Sequence, residues 1–189
     1  LEQNAPGLDH QEALLGNKAL TISNQENFFI KKTWNDFYLS SLIYSVKLLG
    51  NEIWILRSVS AIFGILTLLG FFLLLKELRF SKLNLLLGTF LLSASFWQIN
   101  FSRLIDPTIL IPCFLAWFFY LFLSGLRKSS YWLLGVSGLI LSLSFYFNLK
   151  LVLIFPILIF LLFFYLLYYP DFWKNYWKKL LLFSMVFLV

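Results

Sequence analysis

The chain is 189 residues long, 60% hydrophobic, 21% aromatic and 13% charged, with a mean hydropathy of +0.82. Water-soluble domains run near about 45–50% apolar and about a quarter charged, so too little polar surface is present to cover a soluble globule, and the sequence reads as an integral membrane protein. The net charge of +6 does not mark a nucleic-acid binder. The basic residues form small clusters between apolar runs, where the topology signals of a membrane protein belong.

Cys113 is the only cysteine and His10 the only histidine. A disulfide framework within the chain, a cysteine metal site and a multi-histidine metal site are therefore excluded. Leu1 stands where an initiator Met would, and the last residues fall inside an apolar run. That is the pattern expected of a piece of a longer polytopic protein.

Residues 1–37 are comparatively polar and carry Asp9, Glu12, Glu26 and Asp36. Pro6-Gly7 is a turn signal. After it, Asp9 is placed to cap a short helix with Glu12 at the third position, a spacing like that of a capping box. Residues 38–49 are apolar but too short to span, which predicts an interfacial helix lying on the membrane.

Long apolar runs follow. Spans are expected at 57–75, 83–101, 107–125, 131–147 and 151–169, with a sixth beginning at Leu180. Each approaches the ~20 residues that a ~30 Å hydrocarbon core requires, and in lipid a helix satisfies its own backbone. The expected fold is all-α, a polytopic transmembrane helical bundle of about five complete spans plus the start of a sixth. It forms a single membrane domain over 1–189, with an extracytoplasmic loop and juxtamembrane helix at 1–50 and transmembrane helices at 51–189. Pro112 and Pro156 predict kinks. Gly135, Gly138 and Ser142 share a helical face suited to close helix contact.

Between the second and third runs lies a polar break, Trp97 to Pro107, holding Gln98, Asn100, Ser102, Arg103 and Asp106. A break this short keeps its Arg and Asp at the membrane face, where ionisable groups are costly and are functional candidates. The structural alternative is an Arg that snorkels to headgroups and an Asp that caps the next helix ahead of Pro107.

Lys76, Arg79, Lys82, Arg127, Lys128, Lys174, Lys178 and Lys179 fall on one side of this topology, and Arg57, Arg103 and Lys150 on the other. The positive-inside rule makes the first side cytoplasmic. The aromatic cluster Phe172, Trp173, Tyr176 and Trp177 fits an interfacial belt on that side. The other face then holds seven of the nine acids, with only Glu77 and Asp171 opposite.

The order of these segments resembles the polytopic GT-C glycosyltransferases of the protein O-mannosyltransferase and aminoarabinose-transferase type. PGLDHQEALLGNKAL resembles that family's first extracytoplasmic loop with its acidic motif. YLSSLIYSVKLLGNEIWILRSVSAIFGILT resembles its juxtamembrane helix and the start of the next span. SASFWQINFSRLIDPTIL looks like the loop where an aromatic, a Ser-Arg pair and an acid follow one another, and FYFNLKLVLIFP resembles a later hairpin carrying a basic residue. Within the acidic motif, Glu12 matches the second acid, Gln11 stands at the first, and Asp9 lies two residues early. Ser40-Ser41 stands where the family commonly has Pro-Pro.

The resemblance implies an inverting transfer of a hexosyl or pentosyl group at the extracytoplasmic face of a multi-pass protein of the bacterial plasma membrane. The donor would be a polyprenyl-phosphate sugar, and the acceptor a protein, lipid or glycan. It supplies no resident cofactor and leaves a divalent metal requirement open.

That chemistry has physical needs. An acceptor hydroxyl needs a carboxylate base within hydrogen-bond reach of its proton; Glu12 or Asp9 is the candidate, with Asp106 as a second acid to orient the acceptor or share the role. The leaving lipid phosphate gains negative charge, which guanidinium and ammonium groups stabilise best. Arg103 is the first candidate, then Lys150 and Arg57. Each has a structural alternative: helix-start residues for Asp9 and Glu12, a topology anchor for Arg57, a snorkelling side chain for Lys150. Two other functions compete. A non-catalytic scaffold or assembly subunit would show the same spans without needing any acid. A transporter should carry ionisable groups near mid-membrane, and these span centres carry none.

Overall fold

The computed structural model describes residues 10–23, 37–50 and 52–147, and among them every regular element is helical. The expected span at 151–169, the start of the sixth, Pro156 and the hairpin at 148–150 lie outside the described residues.

Among the described residues seven α-helices follow one another: α1 (His10–Ser23), α2 (Phe37–Leu49), α3 (Ile53–Glu77), α4 (Lys82–Ala94), α5 (Phe96–Arg103), α6 (Leu110–Arg127) and α7 (Tyr131–Phe147), with a 3₁₀ turn at Pro107–Ile109. Among the described residues, α3 and Pro107–Arg127 are each long and apolar enough to cross a membrane, and α4 with α5 makes a third crossing if that bent pair is one span. The 25 residues of α3 extend about 37 Å at 1.5 Å per residue, more than a ~30 Å core. The second expected span, 83–101, is broken, and α7 is a shorter apolar helix.

α3 is the hub, touching α2, α4, α5 and α6. Trp117 of α6 donates its indole N–H to the carbonyl of Leu66 at 3.1 Å, so the contact between these two helices is fixed by a polar bond in an apolar setting. At one end of the bundle Arg127 of α6 pairs with Glu77 of α3 at 3.0 Å, beside Lys76, Arg79, Lys82 and Lys128. The basic cluster expected on one side is thus gathered at one end among the described residues. At the opposite end a hydrophobic core forms from Tyr38, Leu39, Leu42, Ile43 and Val46 of α2, Leu56 and Val59 of α3, and Ile105, Ile109 and Leu110. α2 buries this one face and leaves Tyr44, Leu48 and Leu49 exposed, the two-sidedness expected of an interfacial helix. α4 turns Leu83, Leu86, Leu87, Phe90 and Leu91 outward, a surface suited to lipid.

The polar break differs from its expectation. Only Leu104 to Asp106 is non-helical; Phe96 to Arg103 is helix. The discontinuity sits earlier, at Ser95, where α4 and α5 meet at 54°. Ser95 is extended (φ −67°, ψ 138°), ends α4 and starts α5, and its hydroxyl accepts from the Gln98 N–H at 3.2 Å. A serine cap competes with continuation of the helix, so the chain restarts there in a new direction. Pro112 falls in the first turn of α6, where a missing N–H is tolerated. On α7 the buried face runs through Leu134, Ser137, Gly138, Leu141 and Ser144, so Gly138 is buried while Gly135 and Ser142 flank that face.

Both turns at the Glu77–Arg127 end close in the same way. After α3 the Phe80 N–H reaches the Leu75 carbonyl at 3.3 Å with Arg79 at φ 61°; after α6 the Ser130 N–H reaches the Gly125 carbonyl at 3.1 Å with Ser129 at φ 52°. These are six-to-one helix closures with a non-glycine residue in the left-handed conformation, a position usually filled by Gly. Ser129→Gly is therefore expected to stabilise the protein by about 1 kcal/mol, read as a higher thermal unfolding midpoint in detergent. Ser129→Val should lower the midpoint.

Candidate active site

Glu12, in the first turn of α1, is 3% exposed, an unusual place for a carboxylate. Its partners lie far along the chain. Oε2 receives Nη2 of Arg57 at 3.1 Å, and Oε1 accepts the backbone N–H of Ile105 at 2.8 Å. Glu12 sits in the first turn of α1, where its helix-start reading puts it, and its carboxylate also serves α3 and the α5–α6 connection. A buried carboxylate held by a guanidinium and a backbone N–H has the compensation that burial demands.

Arg57 is also half-turned to the outside, with 39% of its side chain exposed. On α3 the residues Trp54, Arg57, Ser58 and Ala61 fall at i, i+3, i+4 and i+7, one helical face. Together with Ser102 and Arg103 of α5 they line an open groove of about 370 Å³. Two arginines from different helices therefore border one concavity, whose lining is largely apolar, and one of them pairs with the buried carboxylate.

The position of α5 depends on Gly64. A Cβ at Gly64 would lie 2.8 Å from Cβ of Ser102, inside contact distance, so only glycine allows α5 this close to α3. The same approach lets the buried Gln98 side chain donate to the Gly64 carbonyl at 3.0 Å. This polar bond compensates the burial of the amide and sets the register of Ser102 and Arg103 against Arg57.

Asp106 lies one residue beyond the Ile105 N–H that Glu12 holds. Its Oδ1 accepts from the Thr108 N–H at 2.7 Å and from the Thr108 hydroxyl, capping the 3₁₀ turn ahead of Pro107 as the structural alternative anticipated. Tyr38 of α2, buried to 1% exposure, bonds to the Ser60 hydroxyl at 2.6 Å. Burial pushes its phenol up to about 12 against the opposing Ser60 hydrogen bond, and the negative charges of Asp106 and Glu12 add to the rise. The phenol is thus held neutral beside both carboxylates.

The structure therefore brings together Glu12, Arg57, Arg103 and Asp106 at one end of the bundle. Asp9 and Lys150 lie outside the described residues. Tyr38 and Trp54 were not singled out from sequence, and Gln98 was named only as a member of the polar break. Trp54 had a legible signal, its i, i+3 relation to Arg57; the pairings of Tyr38 and Gln98 had none, since they depend on Ser60 and Gly64 in a different helix.

A family model described as dolichyl-phosphate-mannose-protein mannosyltransferase matches residues 37–189. The chain belongs to this family. It is a membrane protein of the GT-C glycosyltransferase type, which the sequence resemblance anticipated. Comparison with curated proteins and with solved structures finds no match. The matched region contains Tyr38, Arg57, Arg103, Asp106 and Lys150 and starts after α1, so Glu12 enters the site from outside it.

The Ile105 and Arg57 contacts of Glu12 separate by substitution. Glu12→Gln keeps an oxygen acceptor for the Ile105 N–H and removes the charge from the pair with the half-exposed Arg57, which is worth about 1 kcal/mol or less. Glu12→Ala also strands a buried N–H, at a further cost of about 2 kcal/mol. Thermal unfolding of the purified protein should therefore show Glu12→Ala clearly below Glu12→Gln, with Glu12→Gln close to the parent.

Proposed function

We propose that the protein transfers a sugar from a polyprenyl-phosphate donor to an acceptor hydroxyl at the extracytoplasmic face of the membrane. The observation that carries this reading is the shared groove: Arg57 and Arg103 line one concavity with the buried carboxylate of Glu12 directly behind Arg57. A departing lipid phosphate develops negative charge, and two guanidiniums fixed on helices α3 and α5 stabilise it without reorganising. Trp54, 66% exposed beside them, supplies an amphipathic ring of the kind that sits at headgroup depth.

In this reading Arg103 and Arg57 hold the phosphate, with Lys150 as a further cation. Glu12 is the general base that takes the acceptor proton, with Asp9 as its neighbour in the same motif, and Asp106 orients the acceptor from the α5–α6 connection. The sugar leaves its phosphate with inversion as the acceptor oxygen bonds to the anomeric carbon. The Glu77–Arg127 end, with Lys76, Arg79, Lys82 and Lys128, is the cytoplasmic end by the positive-inside rule, which puts the groove outside.

The test is transfer of label from polyprenyl-phosphate sugars in membranes containing the protein. Glu12→Gln should lower transfer by at least about a hundredfold, the usual scale of a lost general base, and Arg103→Ala should lower it as strongly. Absence of transfer by the parent, or equal transfer by the parent and both variants, would favour a non-catalytic scaffold with the same fold.

A further inference from the structure

At the end of the bundle away from the candidate active site, Lys76, Arg79 and Lys82 stand at and after the end of α3, and Arg127 and Lys128 at the end of α6. All five are exposed. The 3.0 Å contact of Arg127 with Glu77 ties these two helix ends together, so the cations of both turns belong to one patch. Among the described residues Glu77 is its single acid, and Lys76, Arg79, Lys82 and Lys128 pair with no carboxylate.

The neighbours of these cations say what surrounds them. Leu78, Phe80 and Leu83 are interspersed with the cations along the chain and are exposed too. Tyr131 and Trp132, which open α7 beside the second turn, are also exposed, Trp132 to 78%. Exposed apolar side chains between cations fit the boundary of hydrocarbon and headgroups, where Trp and Tyr are enriched. A soluble anion would satisfy the charge and leave those apolar side chains in water.

The backbone at Arg79 adds a second observation. Its φ of 61° is fixed by the Phe80 N–H on the Leu75 carbonyl, a position that glycine fills with less strain. The guanidinium is therefore presented from a closed turn, at a cost to the backbone.

We propose that this patch binds the headgroup of an anionic phospholipid. Arg79, Lys76, Lys82 and Lys128 take the phosphate, and Leu78, Phe80 and Leu83 lie against the start of the acyl chains. A guanidinium takes phosphate bidentately and lysines add point charge, each cation near the surface contributing a comparable increment. A headgroup shared by the two turns is a second tie between them, beside the Glu77–Arg127 pair. Sugar transfer plays no part in this inference. In the orientation proposed above the lipid belongs to the cytoplasmic leaflet, whose surface is negative.

The test titrates the protein in detergent micelles with short-chain phosphatidylglycerol, and with phosphatidylcholine as the neutral counterpart, by displacement of a fluorescent phosphatidylglycerol. The parent should prefer phosphatidylglycerol by at least about tenfold, and the preference should shrink as salt is raised. Arg79→Gly should weaken phosphatidylglycerol binding by about fivefold while its lipid-free unfolding midpoint stays at or above that of the parent, because glycine suits the turn. Lys128→Gln, in the other turn, should lose a similar factor. Neither variant should alter phosphatidylcholine binding. Equal affinity of the parent for the two lipids, or parent-like phosphatidylglycerol binding by both variants, overturns the site. Displacement by inorganic phosphate at the concentration at which phosphatidylglycerol displaces would show a soluble-anion site and overturn the lipid assignment.

Discussion

A carboxylate placed where water cannot reach it must find its compensation within the protein, and Glu12 finds it in two other parts of the chain. One oxygen binds the arginine near the start of α3, and the other binds a backbone N–H in the connection between α5 and α6. Three segments that share no sequence proximity are therefore held to a common point. The apolar core beneath, from Tyr38 and Leu42 to Ile105 and Ile109, brings these segments close. It has no directional preference of its own, so the directional contacts of Glu12 decide how they meet.

The second constraint is steric. α5 lies against α3 because residue 64 has no side chain, and the 54° bend at Ser95 aims α5 there. Gln98 then exchanges a buried amide for a bond to the Gly64 carbonyl. A bend, a glycine and one amide thus set where Arg103 stands relative to Arg57. The Trp117–Leu66 bond midway along α3 and the Glu77–Arg127 pair at its far end fix α6 on α3, so one wall of the groove, α3, is a braced helix. Sites on such elements hold their geometry better than sites on loops.

Much of this was legible in the sequence because hydropathy and charge act locally. The helical class, the short apolar helix α2, the long apolar helix α3 and the cations at its end follow from composition within a window of ~20 residues. Four residues that the structure gathers were also named, Arg103 and Asp106 from the polar break at the membrane face, Glu12 from the family's acidic motif, and Arg57 as a further cation for the phosphate. What was not legible was their arrangement. The partners of Glu12 lie 45 and 93 residues away, and no periodicity encodes such a meeting. The bend was placed in the polar run near Arg103 because polar residues end apolar spans. Ser95 ends the helix instead, because its side chain caps the next one. Asp106 was read both as a functional acid and as a cap, and its bonds to Thr108 show the cap.

The claim on which the rest depends is that Glu12 and Arg57 are energetically coupled. A double-mutant cycle measures this directly: unfolding free energies of the parent, Glu12→Gln, Arg57→Gln and the double variant, in one detergent at one ionic strength. The account predicts a favourable coupling of at least about 0.5 kcal/mol that shrinks as salt is raised. Strictly additive single and double effects would show that the two residues are neighbours without being partners, and would contradict it.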